Sequence, residues 1–436
     1  MSTATIPEAQ RGYFPTWKLK TTGVIMPEER LPWGQTIISG SQHAVAMAGG
    51  TIIAPLIMGF DPNLALLFSG VGTLIFFVAV AGRVPSYLGS SFSFISVVIA
   101  ATGYSGHGPN QHLDVALGGI IAAGVLYGVM ALIVMQSGVG WVERLMPPVV
   151  TGAVVAAIGL NLAPVAVKSV SGSQLDTWIG LFTVMVVGLT NVAAPGIWRR
   201  LPIIIGAVAG YLLYLLLANR LGFGKPIDFT ALAAAPWIGM PKFRGPSFHT
   251  DAMFLIAPVA IILVAENLGH IKAIGVMTGR SLDSFLGRAF LGDSLATIVS
   301  GFGGGTGVTT YAENIGVMAA TKVYSTLLFA TAAIVSILLG FSPKFGAIIL
   351  SIPSPVIGGL SIVLFGLIAA MAGRIWVENK VDFSNPRNLI TVAAALIAGA
   401  GDLTLKFGAF AMGGIGTATF GAIILYQILA WNRSLE

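Results

Sequence analysis

Residues 302–322 read FGGGTGVTTYAENIGVMAATK, an order that no continuous spanning helix accommodates. Gly303, Gly304, Gly305 and Gly307 permit backbone shapes that residues with side chains resist, and Thr309, Thr310 and Tyr311 then favour a short extended piece. A helix starting near Ala312 follows. It places Glu313 and Asn314 in its first turn, where free N–H groups and the positive end of the helix dipole can hold polar ligand atoms. A strand leading into a half-helix at mid-membrane is how transporters with discontinuous helices build substrate sites.

Composition supplies the membrane. Of 436 residues, 55% are hydrophobic and 9% charged, with a mean hydropathy of +0.87, whereas a soluble domain carries about a quarter charged residues. The chain reads as an all-α polytopic membrane protein. It has no cysteine, which excludes disulfides and thiolate metal sites. The formal charge of +6 calls for no nucleic-acid partner, because Lys and Arg in a membrane protein mark cytoplasmic loops. Residues 1–33 are polar, lack the apolar core of a signal peptide and are expected to form a cytoplasmic tail.

Working outward from residues 302–322, apolar segments fall at 34–57, 63–82, 84–102, 114–136, 148–167, 177–198, 201–219, 251–277, 286–301, 308–320, 323–341, 353–373, 387–403 and 409–430. These fourteen candidate transmembrane segments are divided by a long external loop, 220–250, into repeats 34–219 and 251–430, with a short tail at 431–436. Seven segments per half means that the second half enters the membrane upside down, so a 7+7 inverted repeat is the economical architecture. The third segment supports this, since it begins VPSYLGSSFSF, with Pro85 and Gly89 ahead of alternating serine and phenylalanine. Segments 3 and 10 are thus both broken, and short antiparallel strands near Ser91–Phe94 and Thr309–Tyr311 would satisfy each other's backbone groups where lipid cannot. Sixteen of the 23 basic residues fall on one side of this division: Arg11, Lys18, Lys20, Arg30, Arg83, Arg144, Arg199, Arg200, Lys272, Arg280, Arg288, Lys322, Arg374, Lys380, Arg387 and Arg433. That side is the inner one, which makes both termini cytoplasmic.

Polar residues within the apolar segments carry the functional argument. Glu266 and His270, in VAENLGH, are four apart and share a helix face. A carboxylate in the hydrocarbon layer costs at least ~2.5 kcal/mol on insertion scales, and such groups mark substrate and ion pathways. The bland alternative is that Glu266 pairs with His270 to hold helices together and that Glu313 only favours a helix start. Asp293, in LGDSLAT, divides evenly between structure and proton coupling. Gln42 and His43, in GSQHAVAMAGG, read first as a polar pair bonding across small-residue helices. Phe94 is raised above packing only by its place in the broken third segment.

The run Glu313-Asn314-Ile315-Gly316 with Thr321-Lys322, together with Gln42-His43, resembles the signature of the nucleobase–ascorbate transporter (xanthine/uracil permease) family. The stretches GRVPSYLGSSFSFIS, ERLMPPVVTGAVV and VAENLGHIKA are most similar to its bacterial pyrimidine permeases. This resemblance implies a fold in which a core domain (segments 1–4 and 8–11) moves against a gate domain (segments 5–7 and 12–14). It implies a homodimer in the bacterial inner membrane, among lipid, that imports a nucleobase in symport with H+ and needs no cofactor. Residue by residue, it implies substrate-binding acids at Glu266 and Glu313, main-chain contacts at Phe94 and Ala312, and proton coupling through Glu266, His270 and Asp293. Gln42, His43, Tyr311 and Asn314 take supporting places. Ala312 stands where uracil permeases have glycine, and Phe365 where a relative has tyrosine. Purine members commonly have glutamine in place of Glu313, so the acid favours a pyrimidine.

The chemistry of uracil fits these groups. Its ring N–H donors are flanked by carbonyl acceptors, so carboxylates can receive the N–H groups while half-helix amides donate to the carbonyls. The ligand is neutral, and coupling then needs a group that changes protonation, for which Glu266 is the candidate, with His270 holding it when ionised. Two other classes stand beside this one. An anion carrier of similar fold would have to tolerate two acids in its site. A membrane-embedded enzyme would need a nucleophile or a metal cluster, whereas His43, His107, His112, His249 and His270 show no close metal spacing and no HExxH occurs.

Overall fold

The computed structural model describes residues 12–104, 108–196, 198–407 and 410–431. Arg11, His107 and Arg433, and the whole of the tail expected at 431–436 except Trp431, lie outside these. The described chain forms two compact units. One takes in Val98–Gly140 and Trp237–Gly346 together with the chain up to Phe94. The other takes Ile95–Val97, Trp141–Pro236 and the chain from Ala347 onward.

The helices used below are labelled in chain order: α1 Trp33–Met58, α2 Pro62–Ala79, α3 Ile95–Thr102, α4 Leu113–Ser137, α5 Thr250–Ile256, α6 Val259–Thr278, α7 Leu286–Gly303, α8 Ala312–Thr321 and α9 Leu327–Gly340. Their ends follow local chemistry. Asp61 caps α2 by accepting from Asn63 N–H at 2.8 Å, with Pro62 at the first helical position. Gly304, at φ +90°, ends α7 in the left-handed conformation that residues with a Cβ avoid. Among the described residues, eight helices are long and apolar enough to cross a membrane. A ninth span results if Leu327–Gly340 and Pro343–Leu350, bent by 82° at their junction, count as one.

In the first unit, α4 and α7 pack closely through small residues. A Cβ on Gly124 would stand 2.7 Å from Ile298, and one on Gly287 would stand 2.4 Å from Met135. Ser294 Oγ crosses the same seam to donate to Gly124 O at 2.9 Å. Close backbone approach and interhelical hydrogen bonds replace the hydrophobic driving force that lipid does not provide. In the second unit, the helices Pro148–Asn161, Gln174–Ala193 and Ser354–Glu378 pack together, and Gly359 meets Gly180 O at 2.6 Å from an ideal Cβ.

Two interrupted segments meet in the first unit. Strand β3, Leu88–Ser90, runs antiparallel to β4, Val308–Thr310, with Leu88 opposite Thr310 and Ser90 opposite Val308. Two outer strands precede them in sequence, β1 Lys18–Leu19 and β2 Glu29–Arg30, which pair in parallel. The β3 strand thus lies three residues before the predicted Ser91–Phe94, where a 3-10 turn, Phe92–Phe94, leads into α3 instead. The reason is backbone satisfaction. Thr73 Oγ1 accepts from Leu88 N–H at 2.9 Å, and Ser91 N–H donates to Gly307 O at 2.9 Å, so the ladder closes on residues that α2 can reach.

Other boundaries also move. Residues 12–32 are not a free tail, since Ile25 is 1% exposed and forms a bridge with Val323. That bridge delays α9 to Leu327, four residues after the segment expected at 323–341. The last helix starts at Gly414 rather than 409, because Leu405–Phe407 and Phe410–Met412 pair as antiparallel strands. Asp402 Oδ1 accepts from Gly414 N–H at 2.8 Å and fixes that start.

Candidate functional site

The strand pair is held by hydroxyls of α7 and of the turn that follows it. Thr297 Oγ1 on α7 donates to Val308 O at 3.1 Å, and Thr306 Oγ1 donates to Ser90 Oγ at 2.7 Å. Ser90 Oγ passes its own hydrogen to Thr51 O at 3.1 Å. Tyr311 closes the ladder, because its N–H donates to Tyr87 O at 3.2 Å and its hydroxyl donates to Ser90 O at 2.9 Å. The Tyr311 ring lies so close to Gly89 that a Cβ there would stand 2.3 Å from it. Gly307 is pressed in the same way against Phe94, at 2.2 Å.

Immediately after β4, α8 begins with no side chain capping its N-terminus. The main-chain N–H of Glu313 lies against its own carboxyl, and the neighbouring first-turn N–H groups are open to another partner. Glu313, in that first turn, lies deep in the fold and yet faces open space. Asn314, one residue on, turns inward and is fully buried, with its Oδ1 3.0 Å from His43 Nδ1 on α1. An amide oxygen can only accept, so His43 carries its hydrogen on Nδ1. Asn314 Nδ2 and Gln42 Nε2 are buried with no hydrogen-bond partner among the described residues. His43 thus faces α8, as α1 packs against it.

Helix α6 brings the second acid. Glu266 is half-buried, Ser93 of the 3-10 turn lies beside its carboxyl, and Glu313 is near enough for their charges to act on one another. Glu266 Oε2 has no hydrogen-bond partner among the described residues. His270 shares the helix face of Glu266, but its Nδ1 is 2.8 Å from Thr310 Oγ1 on β4. The ring thus ties α6 to β4 through Nδ1, on the same helix face that carries Glu266.

Asp293 belongs to a fully buried group of three, and its charge is within reach of Glu266. Asn267 Nδ2 donates to Asp293 Oδ2 at 2.6 Å and to Tyr127 Oη at 3.0 Å, which joins α6, α7 and α4. Asp293 Oδ1 and Asn267 Oδ1 both lack a partner among the described residues. Asn267, Tyr127, Ser93 and Thr310 were missed in the sequence reading. Asn267 stood in plain view beside Glu266 as a polar residue in an apolar helix, while the others become legible only once the strands place them. Phe94 is fully buried, Ala312 is half-exposed at the start of α8, and Phe365 lies buried in the second unit on Ser354–Glu378. Among the described residues, no group of three or more His, Cys, Asp or Glu could hold a metal ion.

Comparison with known proteins gives a family match, two relatives and two solved structures of shared fold. A family model described as "Permease family" (Xan_ur_permease) matches residues 34–407. The chain is 60% identical over 421 residues, 96% of this chain and 95% of the other, to a protein of Escherichia coli (strain K12) described as "Putative pyrimidine permease RutG". It is 39% identical to the "Uracil permease" of Bacillus caldolyticus, over 92% of this chain and 94% of that one. Among solved structures, the transmembrane domain of a cyanobacterium bicarbonate transporter, BicA, superposes with a TM-score of 0.60 at 16% identity, covering 90% of this chain and 97% of that one. The murine anion transporter Slc26a9 in its inward-facing state gives 0.64 at 11% identity, covering 92% and 69%. These last two show shared fold alone.

Proposed function

The chain belongs to the permease family whose model spans residues 34–407, and from that membership we propose that it imports uracil or a closely related pyrimidine base in symport with protons. It is a transporter and not an enzyme, as its relatives are permeases. The observation that carries the substrate reading is the meeting of Glu266 and Glu313 beside the uncapped start of α8, with Glu266 Oε2 unspent. In this reading the two carboxyl groups receive the ring N–H groups, and the main-chain N–H groups at Phe94 and Ala312 donate to the carbonyl oxygens.

Proton coupling is assigned to Glu266, which faces the ligand and lacks a fixed partner for one oxygen. His270, through Thr310, positions the helix turn that carries it, and Asp293 sits one network further back as a second proton-bearing group. Gln42, His43, Asn314 and Tyr311 hold the frame of α8. The architecture proposed is fourteen segments in two inverted sevens, a core domain of segments 1–4 and 8–11 and a gate domain of segments 5–7 and 12–14. The division of the chain into two compact units supports that grouping. The proposal includes a homodimer in the bacterial inner membrane with both termini cytoplasmic, acting without a cofactor. The bonded segment 12–32 joins the first repeat in this scheme.

Proteoliposomes loaded with the purified protein test the reading. Labelled uracil should accumulate when an inward proton gradient is imposed, and pyrimidines should compete. Stronger competition by xanthine or uric acid would make it a purine carrier, and gradient-independent uptake of bicarbonate would move it to the anion class.

A further inference from the structure

The segment between Trp17 and Arg30 takes no part in the site, yet it is bonded to the far ends of both helices that carry the two acids. Ile25 N–H donates to Lys322 O at 3.0 Å, and Tyr324 N–H donates to Ile25 O at 2.7 Å, just beyond the end of α8. Pro27 O accepts from Thr326 N–H at 3.2 Å, and the one hydrogen of Thr326 Oγ1 is shared between Gly82 O at 2.9 Å and Pro27 O at 3.1 Å. The Trp17 indole N–H donates to the same hydroxyl at 2.8 Å, and Thr326 is fully buried. On the other side, Glu28 pairs with Arg280 at 2.5 Å, one residue after Gly279 caps α6, with side chains 14% and 24% exposed. The segment keeps its own shape through the β1–β2 pair and the Lys20–Glu29 bridge at 2.9 Å.

Helix α8 has ten residues and is about 15 Å long, too short to be fixed by its own packing along a full span. It ends on Lys322 at φ +59°, a conformation that residues with a Cβ avoid unless neighbours hold them. The Lys322 N–H donates to Met318 O at 2.9 Å within the helix end, and its carbonyl oxygen is held from outside by Ile25 N–H. The Glu28–Arg280 pair fixes the corresponding end of α6, and α6 packs on α8. One rigid segment therefore sets the distance between the ends of the two helices, and through them the spacing of Glu266 and Glu313.

We propose that residues 17–30 are a positioning strap whose docking is coupled to occupancy of the site, so that substrate tightens the strap and the docked strap favours substrate. The identity of the ligand rests on the reading given above. Coupling of two equilibria is reciprocal, which supplies the test. Trypsin cleavage after Lys18 and Lys20 reports undocking. Helix α8 is reported separately by Gly316→Cys, the single cysteine in the full chain, at an exposed position where a Cβ meets nothing within 4 Å.

Glu28→Gln and Thr326→Val should each speed cleavage and, in step with it, thiol labelling at Gly316→Cys. The charge-swapped pair Glu28→Arg with Arg280→Glu should restore both rates. Uracil added to the otherwise unaltered protein should slow cleavage. Faster cleavage with unchanged labelling overturns the proposal, as do variants that leave cleavage unchanged, and as does uracil that binds without slowing cleavage. If uracil does not bind at all, the substrate reading falls, and the labelling experiment alone decides the strap.

Discussion

The two interrupted segments whose strands pair in the first unit solve one backbone problem in the same way and differ in chemistry. Each contributes a three-residue strand followed by a short helix, and each strand satisfies the other. After β3 the chain presents Phe92, Ser93 and Phe94, all buried, and no ionisable side chain as far as Thr102. After β4 it presents Glu313 to open space and Asn314 to His43. The strand crossing is therefore scaffold, and the difference between the two sides says where chemistry is done. Substitutions on the two sides should behave accordingly.

The largest effect is expected where both segments converge on α6. Glu266 has Ser93 of one beside it and Glu313 of the other within electrostatic reach. Glu266→Gln keeps the shape of the protonated acid and removes its titration, so gradient-driven accumulation of uracil should be abolished while exchange of labelled for unlabelled uracil persists. Uptake at several pH values, with and without an inward proton gradient, measures this. A mutant that still concentrates uracil would shift the proton carrier to Asp293.

Next in size is Glu313→Gln. Hydrogen bonds to charged groups contribute about 1.5–3 kcal/mol, which corresponds to an affinity loss of roughly ten- to a hundredfold. Equilibrium binding of uracil should show that loss, with a relative gain for xanthine. Unchanged affinity would remove Glu313 from the site and erase the contrast between the segments.

A third effect falls on stability instead of binding. At Gly307 a Cβ would stand 2.2 Å from the Phe94 ring, and at Gly89 2.3 Å from the Tyr311 ring. Overpacking of this kind costs about 1–3 kcal/mol. Gly307→Ala and Gly89→Ala should therefore lower the unfolding temperature by similar amounts, because the crossing is shared. A loss confined to one of them would mean that the two strands are not equal partners.

How far the sequence disclosed this arrangement depended on whether a residue's partner was local. The break before Ala312 was legible because glycine and threonine, followed by a helix start, are signals within a dozen residues. Glu266, Glu313 and Asn314 were legible because polar groups in apolar segments stand out. The position of β3 was not, since it is set by Thr73 on α2 and by Gly307, both distant in sequence. The bond from His270 to Thr310 was hidden for the same reason: spacing of four residues identifies a shared face and says nothing about the strand lying against it. The segment 12–32 looked like a polar tail because its partners, Lys322, Thr326 and Arg280, lie far along the chain, and contacts so distant leave little trace in composition.

The smallest effect concerns the methyl group of Ala312, and it tests whether the start of α8 acts through backbone or side chain. If its N–H donates to a ligand carbonyl, Ala312→Gly leaves that donor in place, because the residue sits at the first helical position, where the hydrogen is not used within the helix. Uracil affinity should then change by less than about threefold, under roughly 0.7 kcal/mol. The half-exposed methyl does occupy space beside Glu313, so its removal should favour a bulkier base. Thymine, which adds one methyl to uracil, should compete better in the variant than in the parent protein. Competition curves for thymine against labelled uracil measure this directly. A tenfold loss of uracil affinity would show that the methyl itself contacts the ligand, and an unchanged thymine-to-uracil ratio would place the base elsewhere than over the first turn of α8.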